Sequence, residues 1–391
     1  MYVRNLSLRD FRSWDEVSAE LSPGTTLFVG RNGFGKTNLL EALYYVAGLR
    51  SHRVSTDQPL IRSGANQARV TATVENDGRE LTVDLVIGGA RSNKAAINGA
   101  PCRRPRDVLG ILRAVMFAPE DLALVRGDPG ERRRLVDELV AMRGPRWAAA
   151  KSDYDRVLRQ RAALLKTAAA ALRRGGNDAD SVIRSLDVWD AQLAAYGAQV
   201  SAARIDLVDE LEPHVAQAYS AIAPHSRPAR MRYRSSASID VIPADGEKAD
   251  VDCIEAALLS DLAALRHKEI DRGVTLVGPH RDDVDLLLGT EPAKGFASHG
   301  ESWSIALALR LGSVELVRAD GVEPVLMLDD VFAELDAKRR EKLADLAAGA
   351  EQVLITAAVA ADIPSRIGGR TVAVNIIESA GVRTSELVIG G

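Results

Sequence analysis

The sequence predicts an α/β phosphate-loop domain assembled from both ends of the chain, with a mainly helical domain inserted between them. Three observations carry this prediction. A glycine-rich loop follows an apolar strand near the N-terminus, an apolar strand ending in two aspartates comes almost 300 residues later, and an Ala/Leu/Arg-rich helical stretch separates them. At 391 residues the chain can bury two or three cores.

Residues 2–11 and 14–21 read as short β segments and 24–29 (GTTLFV) as a buried strand. The apolar period of LLEALYYVAGL predicts a helix over 39–49. Alternation from 68 to 98, closed by Asn98-Gly99, predicts an antiparallel meander, and 112–118 reads as another strand. From about 120 to 225 helical patterns dominate, broken near Gly144-Pro145 and at 174–177. A β-like patch at 229–235 and a helix at 251–272 follow. Strand-and-helix alternation returns at 274 with TLVG, DDVDLLLG, a helix over 301–319 and the apolar PVLMLDD. A helix at 336–348 and the strands QVLITAA and TVAVNIIES complete the pattern. The expected division is 1–118 and 274–391 for the split domain and 119–273 for the insertion. Helices at 147–172 and 191–204 would form either a short coiled-coil arm or an ordinary two-helix layer.

Composition sets limits on function. Hydrophobic residues at 46% exclude a largely disordered chain, and a net charge of −4 excludes a uniformly basic one. The charge is uneven: +2 over 1–100, +8 over 101–175 and −14 over 176–391. A basic segment in an acidic protein is a candidate for docking a polyanion. Cys102 and Cys253 lie in no CxxC or metal-ligand frame, which argues against a disulfide scaffold or a structural zinc site. The opening residues lack the apolar core of a signal peptide, and no stretch reaches about 18 apolar residues, so the expectation is a cytoplasmic protein without a membrane partner.

Gly30, Arg31, Asn32, Gly33, Phe34, Gly35, Lys36 and Thr37 satisfy GxxxxGK[ST], and Asn38 extends the loop. The glycines let successive N–H groups converge on phosphates, and the following helix presents its positive end. Lys36 is expected to reach the β- and γ-phosphates of ATP, and the Thr37 hydroxyl to coordinate Mg2+.

Asp329 and Asp330 end the second apolar strand. A carboxylate there holds Mg2+ in phosphate-loop folds, and a second acid can orient or deprotonate the attacking water. We therefore assign Asp329 to the metal and Asp330 to catalysis; the alternative use of either acid is to cap a helix.

Five segments resemble the RecF family of DNA replication and repair proteins, within the ABC/SMC-like ATPases: LSLRDFRSW at 6–14, GRNGFGKTN at 30–38, PEDLALVRGDPGERR at 119–133, VGPHRDD at 277–283 and LDDVFAELD at 328–336. Two departures stand out. Leu135 occupies a position where the family leads one to expect an aromatic residue, and the signature segment 297–301 keeps only Ser298 and Gly300 of a transporter's LSGGQ.

The resemblance implies an ABC-type ATPase head and a weak, DNA-dependent ATPase that dimerises on ATP and is released by hydrolysis. Ser298, Gly300 and the start of the 301–319 helix would contact ATP bound by the other subunit, and Glu120 would sense the γ-phosphate. Where many cassettes carry a histidine after the strand QVLIT, this chain has Thr356 and Ala357, which implies slow turnover. The implied partners are gapped duplex or single/double-strand junctions, and RecR, alone or with RecO. Arg132, Arg133 and Arg134 are candidate DNA contacts, or else pair internally with Glu131, Asp137 and Glu138 at helical spacing. His280, alone in its motif, is assigned no metal. Rival readings are a transporter ATPase, a metabolite kinase and an ATP-gated clamp that does not hydrolyse.

Overall fold

Strand Gly24–Val29 is flanked on both sides by strands from the far end of the chain: Gln352–Ala357 pairs parallel on one edge and Arg370–Ser379 on the other. The structure, a computed structural model, describes residues 1–89, 92–174, 176–238, 241–244, 246–379 and 382–388. Within them the chain forms two units, one of residues 1–126, 214–229 and 293–391, the other of 127–213 and 230–292.

The first unit contains two six-stranded sheets. One runs Val382–Val388, Arg370–Ser379, Gly24–Val29, Gln352–Ala357, Val325–Asp329, Ala114–Phe117, parallel except for the terminal hairpin. Val325–Asp329 and Gln352–Ala357 are buried at every position, which explains their unbroken apolar runs. The other sheet is the antiparallel meander of Trp14–Glu20, Tyr2–Phe11, Gln67–Asn76, Arg79–Gly88 and two short strands. Its alternation buries Ala68, Val70, Ala72 and Val74 on one face. Asp77-Gly78 and Asn98-Gly99, all at positive φ, supply the tight turns of the meander.

Helix Lys36–Gly48 is buried at every position from Leu39 to Ala47 and shares a core with residues of both sheets. Burying each of its leucines contributes roughly 1.5–3 kcal/mol, so the phosphate-loop helix is anchored on both sides. Residues 214–229 belong to this unit because Val215 packs at Gly312 of helix His299–Ala319, where a Cβ would meet the Val215 side chain at 2.7 Å.

The second unit contains helices Pro129–Met142, Pro145–Arg174 and Val251–Arg272, most of Gly176–Ile222, and a small sheet. Leu165, Ala168, Leu186 and Ile270 form a shared cluster, so the expected two-helix layer has a third member. Fully buried Arg161 donates to Asp190 and Glu269, both at 2.5 Å, and to Thr275 at 2.9 Å. Two carboxylates and a hydroxyl thus satisfy this interior guanidinium.

Three expectations change. TLVG at 275–278 is not a strand, because the Thr275 oxygen accepts from His280 and Arg281 rather than from a neighbouring strand. Asp283–Leu288 is a strand, but it lies between Glu291–Pro292 and Ala229–Arg234 in the small sheet of the second unit. The outer divisions between the units fall at 126 and 292 rather than at 118 and 274, and residues 214–229 return to the first unit between them. The helix break expected at 174–177 includes Gly175, which lies outside the described residues.

Candidate nucleotide and metal site

The turn after strand Gly24–Val29 brings Gly30 against Val374, where a Cβ would lie 2.3 Å from the carbonyl oxygen. Gly35 caps the helix at φ 96°, and a Cβ there would collide with the Ser13 and Ser385 hydroxyls at 2.5 Å. Trp14 Nε1 donates to the Gly35 oxygen at 3.1 Å and Asn38 to Ser13 Oγ at 2.8 Å. The N-terminal hairpin thereby props the loop from outside.

Arg31, Asn32 and Gly33 are exposed, whereas Phe34 packs against the core beneath. Lys36 Nζ donates to the Gly30 oxygen at 2.7 Å and the Arg31 oxygen at 3.3 Å. Burial lowers the Lys36 pKa, partly offset by Asp330 and Asp329.

The two motifs meet at Thr37 Oγ1, which donates to Asp329 Oδ1 at 2.8 Å across 292 residues of sequence. Thr356 Oγ1 donates to the same oxygen at 2.6 Å. Burial raises the Asp329 pKa against these two hydroxyl bonds, with Glu120 and Asp330 pushing the same way as burial. The half-buried Thr37 hydroxyl and the buried Asp329 carboxylate are hard oxygens that suit a divalent cation such as Mg2+, and they are the residues that could hold it. Asp330 adopts the left-handed conformation at φ 51°, with its N–H bonded to the Thr356 oxygen and hydroxyl. Glu120 is the exposed residue of the turn Pro119–Asp121, just past strand Ala114–Phe117.

A cavity of about 630 Å³ spans the phosphate loop, with Lys36, Thr37, Asn38 and Asp330 in its wall. Sequence reasoning missed Arg12, Ser13 and Arg53, which also line it. Arg12 holds fully buried Glu41 through bonds of 2.9 and 2.6 Å, and Arg53 lies 3.6 Å from the same acid. His52 was missed too: its Nε2 lies 3.9 Å from Asp329 Oδ2, and the ring meets Tyr44 edge-on at 5.5 Å. Burial drives its pKa down to about 4, so the contact is that of a neutral imidazole with a carboxylate, not an ion pair. A Ser-His-Arg string after a helix carries no period or spacing to single it out.

Ser298 and Gly300 are not in this wall. Exposed Ser298 caps helix His299–Ala319, its oxygen accepting from the Glu301 N–H at 3.2 Å while Glu301 accepts from the Ser298 N–H at 2.8 Å. The basic triplet divides. Arg132 is buried and forks onto Asp283 at 2.8 and 2.9 Å, so it cannot reach a polyanion outside. Arg133 donates to the Asp282 oxygen at 2.7 Å, and half-exposed Arg134 sits 3.5 Å from Glu131 one turn away. Internal pairing thus claims Arg132, through an acid 151 positions distant rather than one at helical spacing.

The family model of the RecF/RecN/SMC N terminal domain matches residues 2–364. The DNA replication and repair protein RecF of Rhodococcus erythropolis is 58% identical over 396 aligned residues, covering 99% of this chain and 97% of that one. The chain belongs to the RecF family. Among solved structures, a RecF bound to ATPrS, described as a recombination mediator of the RecFOR pathway, superposes with a TM-score of 0.83 at 25% identity, covering 98% of each chain. An Smc head domain from Pyrococcus yayanosii superposes at 0.53 and 14% identity, covering 98% of this chain and 96% of that one, a likeness of fold alone. The RecF fold here is therefore the ABC-type ATPase head that RecF and Smc share. No helix among the described residues is long and apolar enough to cross a membrane.

Proposed function

We propose that this chain is an ATP-dependent DNA-binding protein of recombinational repair and replication restart. It acts at gapped duplex or single/double-strand junctions as an ATP-induced homodimer and assists recombinase loading. The observation that carries the reading is the Thr37–Asp329 hydrogen bond, which joins the loop and strand motifs into one site suited to Mg-ATP.

Lys36 exchanges the carbonyls of Gly30 and Arg31 for the β- and γ-phosphates, and loop N–H groups other than those of Gly30, Phe34 and Asn38, which bond Ala357, Arg31 and Gly35, serve the phosphate chain. Mg2+ held by Thr37 and Asp329 would neutralise phosphate charge. Asp330, on the cavity wall, orients the attacking water and takes its proton. Glu120, near enough to perturb Asp329, responds to the γ-phosphate. Ser298 and Gly300 stand at an exposed helix start outside the chain's own cavity, which supports their closing over ATP in a second copy. ATP then holds the dimer, hydrolysis is slow and DNA-dependent, and turnover releases the pair. The RecFOR description of the structural relative supports RecR and RecO as partners and, with them, a cytoplasmic setting.

The test is DNA affinity with and without ATP on gapped, duplex and single-stranded substrates, for the native chain and Lys36→Met. Tighter binding to gapped DNA with ATP, lost in Lys36→Met, is expected. Equal affinity with and without ATP would refute the reading.

A further inference from the structure

Both ring nitrogens of His52 are buried with no hydrogen-bond partner among the described residues. Unsatisfied buried imidazole nitrogens are costly, each of the order of 1–3 kcal/mol, and in a native fold they call for a reason. Helix Lys36–Gly48 ends at Leu49 in a left-handed cap, and the chain then turns back beside it. Ser51 Oγ bonds Glu41 Oε1 and accepts from the N–H groups of Arg53 and Val54 at 2.9 and 3.2 Å. Arg53 donates to Asn38 Oδ1 at 3.2 Å. His52 is thus held on both sides by bonds to the phosphate-loop helix, and its side chain is only 9% exposed.

The imidazole points at the metal acid. Asp329 Oδ1 is taken by Thr37 and Thr356, while Oδ2 faces His52 Nε2 at 3.9 Å. Closing that gap to the ordinary 2.7–3.2 Å of an N–H···O bond needs a movement of about 1 Å. Carboxylates that hold a cation are commonly oriented by such outer partners, whose loss weakens metal binding about 10–100-fold.

We propose that His52 is a positioning residue of the metal site, donating Nε2–H to Asp329 Oδ2 and so fixing the carboxylate that, with Thr37, receives the divalent cation. This rests on the Mg-ATP reading of the cavity. The two hydroxyls on Oδ1 leave the carboxylate free to swing about that oxygen, and a donor on Oδ2 removes the swing. The Thr37 and Thr356 bonds do not depend on His52. The fold of the loop also does not depend on the ring, because Ser51 and Arg53 supply its anchoring bonds.

The test is a titration of a fluorescent ATP analogue into the native chain, His52→Ala and His52→Gln, in EDTA and across a range of Mg2+ or Mn2+ concentrations. Thermal denaturation is recorded for each protein. Expected is an apparent metal affinity about tenfold weaker in His52→Ala, nucleotide affinity in EDTA unchanged, and recovery in His52→Gln, whose amide can place N–H near the lost Nε2–H. Two results would overturn the proposal: unchanged metal dependence in His52→Ala, or an equal loss in EDTA and in metal. If His52→Ala does not fold, His52→Gln decides: near-native metal dependence supports the proposal, and a loss confined to thermal stability overturns it. A native chain that binds the analogue without any metal effect would refute the Mg-ATP reading itself.

Discussion

Arg339 donates to the Gly300 oxygen at 2.6 Å and to Ser304 Oγ at 2.8 Å, tying the helix that follows Asp336 to the helix that begins at Ser298. The strand ending in Asp329 and its Glu-Leu-Asp loop lead directly into that first helix. On the proposed mechanism, one end of the tie serves the chain's own ATP and the other a partner's. Arg339→Ala removes hydrogen bonds from a charged donor, worth about 1.5–3 kcal/mol. Sedimentation is expected to show ATP-driven dimerisation weakened about tenfold or more, with nucleotide affinity of the monomer within about twofold. Unimpaired dimerisation would remove Arg339 from the closing mechanism.

Asp330→Asn keeps the shape of the turn, since asparagine also tolerates the left-handed conformation seen at φ 51°. The variant is expected to bind ATP and lose phosphate release by about 100-fold or more. Release at the native rate would place the catalytic group elsewhere.

Arg132→Ala leaves Asp283 buried, with half of its pairing gone and Arg234 at 3.1 Å as the remaining cation. Breaking such a pair costs about 3–5 kcal/mol. Denaturant unfolding is expected to show that loss, while the folded fraction keeps native DNA affinity. A selective loss of DNA affinity at native stability would restore the residue to the DNA-contact set.

Acid should weaken the inserted unit through His280. Its Nδ1 faces the Tyr154 hydroxyl at 2.6 Å and Nε2 the Thr275 oxygen at 3.2 Å, with Arg133, Arg281 and Asp282 also acting on the ring. Burial lowers its pKa from 6.5 to about 4, so the unfolded chain takes up the proton first. Its contribution is complete above pH 6.5 and drains away as the pH falls toward 4. Melting temperatures of the native chain and His280→Gln, measured across that range, should converge as the pH drops. Parallel curves would contradict a neutral buried histidine.

Most of this fold is legible because its signals are local. The phosphate loop, the Asn98-Gly99 turn and the apolar strand before Asp329 each announce themselves within ten residues. The misreadings come from partners that sequence proximity does not reveal. TLVG has the composition of a strand, but its Thr275 oxygen is claimed by His280 and Arg281. Arg132 has acids on its own helix, yet Asp283 offers a bidentate buried partner. Thr356 reads as the absence of a histidine, although its hydroxyl is the shorter of the two bonds on Asp329 Oδ1. Arg12 and Arg53 reach the cavity, and His52 reaches Asp329, through a turn and a loop, which no periodicity marks.

The position of Gly24–Val29 between Gln352–Ala357 and Arg370–Ser379 bears on how the protein is made. A ribosome completes the phosphate loop early but must add more than 300 residues before either flanking strand exists. At about 5–20 residues per second that interval is roughly 15–65 seconds. The inserted unit is fully synthesised within it and can fold first. A chain cut short anywhere before Gln352 lacks both of the strands that flank the phosphate-loop strand.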